Sequence, residues 1–127
     1  MIATALALVA TAAAPPASPI ENPDLRCVAA VAAVLGTLGD SGEADAETMT
    51  GLTAIFMYYM GKVDARSPGF DYAKGLTALM SAPGYNRQLP ADLKRCGAEA
   101  EERGAMLKDL GEQMKAAVPL APGLRPG

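Results

Sequence analysis

The chain carries two cysteines, Cys27 and Cys96, far apart in sequence and outside any C-x-x-C pattern, and it contains no histidine. No other feature constrains the fold as strongly. A structural zinc site needs four nitrogen or sulfur ligands, and two thiolates without an imidazole fall short. A Cys-His or Ser-His catalytic pair cannot be assembled either. In an oxidising compartment two lone cysteines join as a disulfide. Closing a loop of roughly 70 residues stabilises the folded chain by about 4 kcal/mol in the chain-entropy description.

The amino-terminal residues fit such a compartment. Ile2 to Ala14 is an uncharged run of Ala, Leu, Val and Thr, followed by a Pro/Ala/Ser-rich stretch. Small residues at Ala10 and Ala12 form an A-x-A site with cleavage before Ala13, and Ala12 with Ala14 forms a second, disfavoured by Pro15 just after the cut. The expectation is a signal peptide over 1–14, cleaved near 12–14, a linker over 15–22, a helical domain over 23–118 and a disordered tail over 119–127. That places the protein in the periplasm or outside the cell. The run lacks a Lys or Arg before it, and the competing reading is an N-terminal helix of the domain, which the proline cluster would cut off from the rest.

Four helical segments and no strand can be placed. Asn22-Pro23-Asp24 opens the first: an N-cap, a first-position proline and an acid in the first turn. Its apolar stripe is Cys27, Val31, Val34 and Leu38, and Gly39 can end it. The second runs from about Asp45 to Asp64 with Met49, Leu52, Phe56, Tyr59 and Val63 on one face. Because Ala54 to Met60 is apolar nearly all round, this segment reads as the central helix. A shorter helix spans about Asp71 to Met80, with Tyr72, Leu76, Leu79 and Met80 inward. The longest starts at Pro90 and ends near Ala117. On it Leu93, Ala100, Leu107 and Met114 recur every seven residues, as do Gly97, Gly104 and Gly111. Glycine in a helix interior costs roughly 1 kcal/mol relative to alanine, so the row suggests close approach of another helix, such as the Ala-rich first. The predicted fold class is all-α: a small four-helix array closed by the Cys27–Cys96 bond, with a long C-terminal helix.

Several functions are disfavoured. A formal charge of −3 and no basic run argue against nucleic acid. No apolar stretch reaches the roughly 18 residues of a membrane span. There is no P-loop, dinucleotide fingerprint or EF-hand loop. The expectation is no cofactor, no metal site and no enzymatic activity. The acidic groups Asp40/Glu43/Asp45/Glu47 and Glu101-Glu102 read as solvation and capping.

One segment stands apart, Tyr58-Tyr59-Met60-Gly61-Lys62-Val63-Asp64-Ala65-Arg66-Ser67-Pro68-Gly69-Phe70. Together with Arg26-Cys27 and Leu93-x-x-Cys96, it resembles a group of small exported bacterial proteins. These share an aromatic-x-x-Gly-Lys/Arg-x-Asp-x-Arg-x-Pro-Gly segment between two cysteines, and the likeness covers about Asp24 to Met114. The resemblance implies compartment and architecture but no activity. A fainter similarity runs to periplasmic acid-stress chaperones of the HdeA type, also small, helical and closed by one disulfide; wider cysteine spacing and the aromatic-Gly-Lys segment set this chain apart. Periplasmic immunity proteins against cell-wall enzymes share the same gross features.

Two readings of the segment remain open. In one, Gly61 permits close packing, Lys62 and Arg66 favour the helix end, Asp64 pairs with Arg66 or Arg103, and the tyrosines are half-buried. In the other, Tyr58, Tyr59, Lys62, Asp64, Arg66 and Arg103 line a surface for an anionic ligand or a protein partner. Methionines at 49, 57, 60, 80, 106 and 114 are core filler in an aromatic-poor chain or an adaptable apolar surface. The function expected is a non-enzymatic interaction or stress-related module of the envelope with a protein partner. The alternatives are an acid-activated chaperone, whose charge would move from −3 toward +11 on protonating its carboxylates, and an immunity or inhibitor protein. The sequence leaves the oligomeric state open, a homodimer included.

Overall fold

The computed structural model describes residues 21–118. The expected signal peptide, most of the expected linker and the expected tail lie outside the described residues. Four helices follow in order: α1 Pro23–Ser41, α2 Ala46–Arg66, α3 Tyr72–Met80 and α4 Tyr85–Ala117. No strand occurs among the described residues. Three helix starts follow local chemistry. Asn22 Oδ1 accepts from the amides of Asp24 at 3.0 Å and Leu25 at 3.1 Å, with Pro23 in the first position. Asp45 accepts from Thr48 at 2.7 Å and Asp71 from Lys74 at 3.0 Å. Each satisfies an amide that has no partner inside its helix.

The helix ends depart from expectation where a distant contact outweighs the local signal. α1 runs through Gly36 and Gly39 to Ser41 and stops at Gly42, whose φ of 66° takes the left-handed cap and turns its N–H to Leu38 O. A glycine ends a helix when it adopts that conformation, and the earlier two do not. α4 begins at Tyr85, more than a turn before Pro90. Tyr85 is only 7% exposed, and its burial holds that first turn in place. Pro90 then sits inside the helix and forfeits one backbone hydrogen bond.

The central helix is α1, not α2. Leu25, Cys27, Val28, Ala29, Ala30 and Val31 are buried, and α1 packs against all three other helices. α2 lies along α1 on one side and fully buries only Tyr59 and Val63; Met57 on its outer face is 58% exposed. An all-round apolar run can be buried all round only if helices surround it, and here they surround the alanine-rich helix instead. In α3, Leu79 is buried and Leu76 and Tyr72 are half-buried, but Met80 points outward. The disulfide joins the first turns of α1 to α4 with Cα atoms 5.6 Å apart, both cysteines in the core.

Glycine explains one close approach, at a position that the sequence pattern does not single out. Gly75 in α3 is buried against the Phe70 ring, and a Cβ there would run into it. The row Gly97, Gly104 and Gly111 has nothing within 4 Å of where a Cβ would stand, and neither does Gly61. The expected close helix approach at these glycines is therefore absent among the described residues.

Candidate functional site

A polar joint ties α1, α2 and α4 together beside the disulfide. Asp24, in the first turn of α1, is 4% exposed. Its Oδ1 meets Lys62 Nζ of α2 at 2.8 Å, while Lys62 also donates to both carboxylate oxygens of Glu99 on α4, at 3.0 and 3.1 Å. Lys62 lies over the rings of Tyr58 and Tyr59, 5.6 Å from each centroid. Arg66 reaches Asp24 Oδ2 only at 3.9 Å and is largely exposed. One turn away along the same joint, Arg26 grips buried Asp92 through Nε at 2.9 Å and Nη2 at 2.8 Å. Arg95 approaches the same carboxylate at 3.6 Å and donates to Pro23 O at 3.0 Å.

The six residues predicted for a surface divide into three groups. Tyr58, Tyr59, Lys62 and Arg66 converge on the joint, with Tyr59 fully buried and its hydroxyl donating to Cys96 O at 2.6 Å. Asp64 takes neither arginine as partner; it accepts from the Tyr72 hydroxyl, whose oxygen also lies 3.0 Å from Met60 O. Arg103 lies apart, exposed on α4 beside the Met106 sulfur. Glu99 pairs with Lys62, and Glu112 pairs with Lys115.

Electrostatics reinforce the joint. Burial alone would raise the Glu99 carboxyl, but hydrogen bonds from Lys62 outweigh it and hold the group below its usual 4.5. Burial likewise works to lower the Lys62 ammonium, and hydrogen bonds to Asp24 and Glu99 carry it above 10.5 instead. Burial, with Glu99 nearby, pushes the Tyr59 phenol far up, and burial plus the bond to Asp64 pushes Tyr72 to about 12. These shifts favour the bonded forms already present. Among the described residues no three His, Cys, Asp or Glu side chains are grouped to hold a metal ion.

Asp24, Arg26, Asp92, Arg95 and Glu99 are the members of the joint that sequence reasoning did not assign to a site. A signal was present: Asp92 lies four residues before Cys96 and Glu99 three after it, so all three share the inner face of α4.

Two further surfaces complete the inventory. From Glu101 onward every residue of α4 is exposed except half-buried Gly111. The face includes Met106, Leu107 (68% exposed), Leu110 and Met114. Below it an apolar groove of about 360 Å³ between α1, α2 and α4 is lined by Val31, Val34, Leu52, Ile55, Leu93 and Ala100 among others. No family model matches the chain, and no match was found among curated proteins or solved structures. Among the described residues no helix is long and apolar enough to cross a membrane.

Proposed function

We propose that the protein is a non-enzymatic interaction module of the bacterial envelope that works through the outer half of α4. The observation that carries this is the bare helix itself. About 25 Å of helix extends beyond the bundle with Met106, Leu107, Leu110 and Met114 in solvent, on a chain whose core is too small to spare them. Contiguous apolar surface of this kind marks an interaction site. Its simplest occupant is a second copy of the same helix laid antiparallel. The stripe Leu93, Ala100, Leu107, Met114 and the adjacent glycine row repeat every seven residues, so two copies can share one seam. In a seam centred near Lys108, Glu101 of one copy faces Lys115 of the other.

Light scattering tests this. At tens of micromolar and neutral pH the purified protein is expected at twice its chain mass, and Leu107→Asp at one chain mass with its melting temperature unchanged. A parent protein that stays at one chain mass at every concentration removes the homodimer.

A second reading, an acid-activated chaperone, is favoured by the polar joint. Protonating Glu99 would remove one of the two carboxylate partners of Lys62 at the place where three helices meet. Protonating Glu101 would at the same time weaken the seam. The faint likeness to HdeA-type proteins points the same way. At pH 3 the protein is expected to suppress aggregation of an unfolded client; unchanged client aggregation rejects this reading. Export is tested by the intact mass of protein recovered from a bacterial periplasm, expected to lack the first dozen or so residues.

A further inference from the structure

Half-buried Val34, Leu52 and Ile55 and the exposed Leu93 wall the apolar groove of about 360 Å³ between α1, α2 and α4. Gly97 and Ala100 form its α4 side. Among the described residues nothing stands within 4 Å of where a Cβ on Gly97 would lie, so α4 is open there to an incoming side chain. Glu101 is the one charged residue lining the groove, and it is exposed. An apolar wall with a single carboxylate at its edge suits an apolar side chain that arrives with a cation beside it.

The register of the α4 seam says which side chain arrives. With Glu101 facing Lys115 in an antiparallel pair, each step toward the end of one helix is a step back along the other. Met114 then stands opposite Glu102, and Val118 opposite Ala98. Each is thus one residue from a groove-lining position, Glu101 and Gly97 respectively. Met114 and Val118 are both exposed, and Lys115 lies between them in sequence. In its own chain Val118 lies about 25 Å along α4 from Glu101, so only another copy can deliver this helix end to the groove. Interface area points the same way. Two bare helix strips about 25 Å long and about 10 Å wide bury roughly 500–1,000 Å² between them, and specific stable interfaces begin near about 1,200 Å². The seam alone falls short, and the groove at each of its ends supplies more apolar surface.

We propose that the α4 end of a second copy, carrying Met114 and Val118, docks in the groove between α1, α2 and α4, with Lys115 against Glu101. This rests on the antiparallel pairing of α4 proposed above and extends it from a helix seam to a reciprocal helix-in-groove contact. Under two-fold symmetry each copy offers one end and one groove, so the contact forms twice. The flexible Met114 side chain adapts to an irregular wall of this kind.

The test separates the groove from the seam. Leu52 stands on α2, away from α4, and among the described residues it is not packed against the buried core; Val118 lies past the end of α4. Neither substitution below therefore touches the core or the centre of the seam. Light scattering on dilution of the full oxidised protein gives the dimer dissociation constant. Leu52→Lys and Val118→Asp should each raise it about tenfold or more, because a buried apolar side chain contributes more than a tenfold change requires. Both variants should melt like the parent at concentrations where all are single chains. Methyl resonances of Val34, Leu52 and Ile55 should shift across the concentrations at which the dimer dissociates. A parent dimer split by Leu107→Asp, with groove methyls unmoved and both groove variants pairing as the parent does, keeps the seam and overturns the docking. Groove methyls indifferent to concentration but moved by deleting residues 119–127, or by adding a fatty acid, give the groove another occupant and overturn it too. A parent that stays at one chain mass at every concentration removes the seam and the docking together.

Discussion

Lys62 serves three elements with one ammonium: a carboxylate on α1, a carboxylate on α4 and two aromatic rings on its own helix. Replacing it by methionine keeps most of the stem packing but leaves Asp24 buried with only a distant arginine. Breaking a fully buried pair costs about 3–5 kcal/mol; with Lys62 28% exposed, solvent screening brings the expected loss in Lys62→Met to about 2 kcal/mol, read from denaturant unfolding. The pH dependence has a definite sign. Glu99 is held below its usual 4.5, so its contribution is complete above 4.5 and is lost as pH falls through the lower folded value. Lys62 is held above 10.5, so its contribution is complete below 10.5 and is lost as pH rises through the higher folded value. Stability from this pair should therefore be level between those limits and fall beyond both, and Lys62→Met should flatten both edges. Gly75 makes a steric prediction at the same scale. Gly75→Ala should destabilise by about 1–3 kcal/mol, because Phe70 must move off α3; a melting temperature equal to the parent's would show that the ring yields freely.

At the scale of the helix, α4 separates two effects that the same substitution moves in opposite directions. Nothing stands within 4 Å of a Cβ at Gly97, Gly104 or Gly111. Each Gly→Ala change should stabilise the helix by up to about 1 kcal/mol. If the glycine row is the seam between two copies, the triple variant should melt higher yet dimerise more weakly, which calorimetry and light scattering read separately. The caps at Asn22, Asp45 and Asp71 were legible in the sequence because a cap is a contact across two or three residues. The α4 start was not, since it depends on Tyr85 finding the core. The central role of α1 was hidden because burial is decided by what surrounds a helix, and alanine carries little apolar signal of its own. For the polar joint the residues on α2 could be singled out, but Lys62 finds Glu99 37 residues away, and on α1 Arg26 finds Asp92 66 residues away. No periodicity spans such distances.

For the whole molecule, the disulfide and the joint lie at the same end of the bundle, so α1 is tied to α4 covalently and to α2 by charge. The double change Cys27→Ala and Cys96→Ala should cost about 4 kcal/mol, seen as a lower denaturant midpoint, and should make acid unfolding begin at higher pH because the polar joint then holds α1 and α4 alone. Among the described residues the opposite end of α4 has neither tie nor cover. The most direct test of the account is amide hydrogen exchange across residues 101–117 at neutral pH, measured at sub-micromolar and at high micromolar concentration. A free helix end should exchange rapidly, because isolated helical turns open readily. Pairing of this face with a second copy predicts slow exchange at high concentration, rapid exchange on dilution, and rapid exchange at both concentrations in Leu107→Asp. Rapid, concentration-independent exchange in the parent protein would contradict the claim that this face pairs with a second copy.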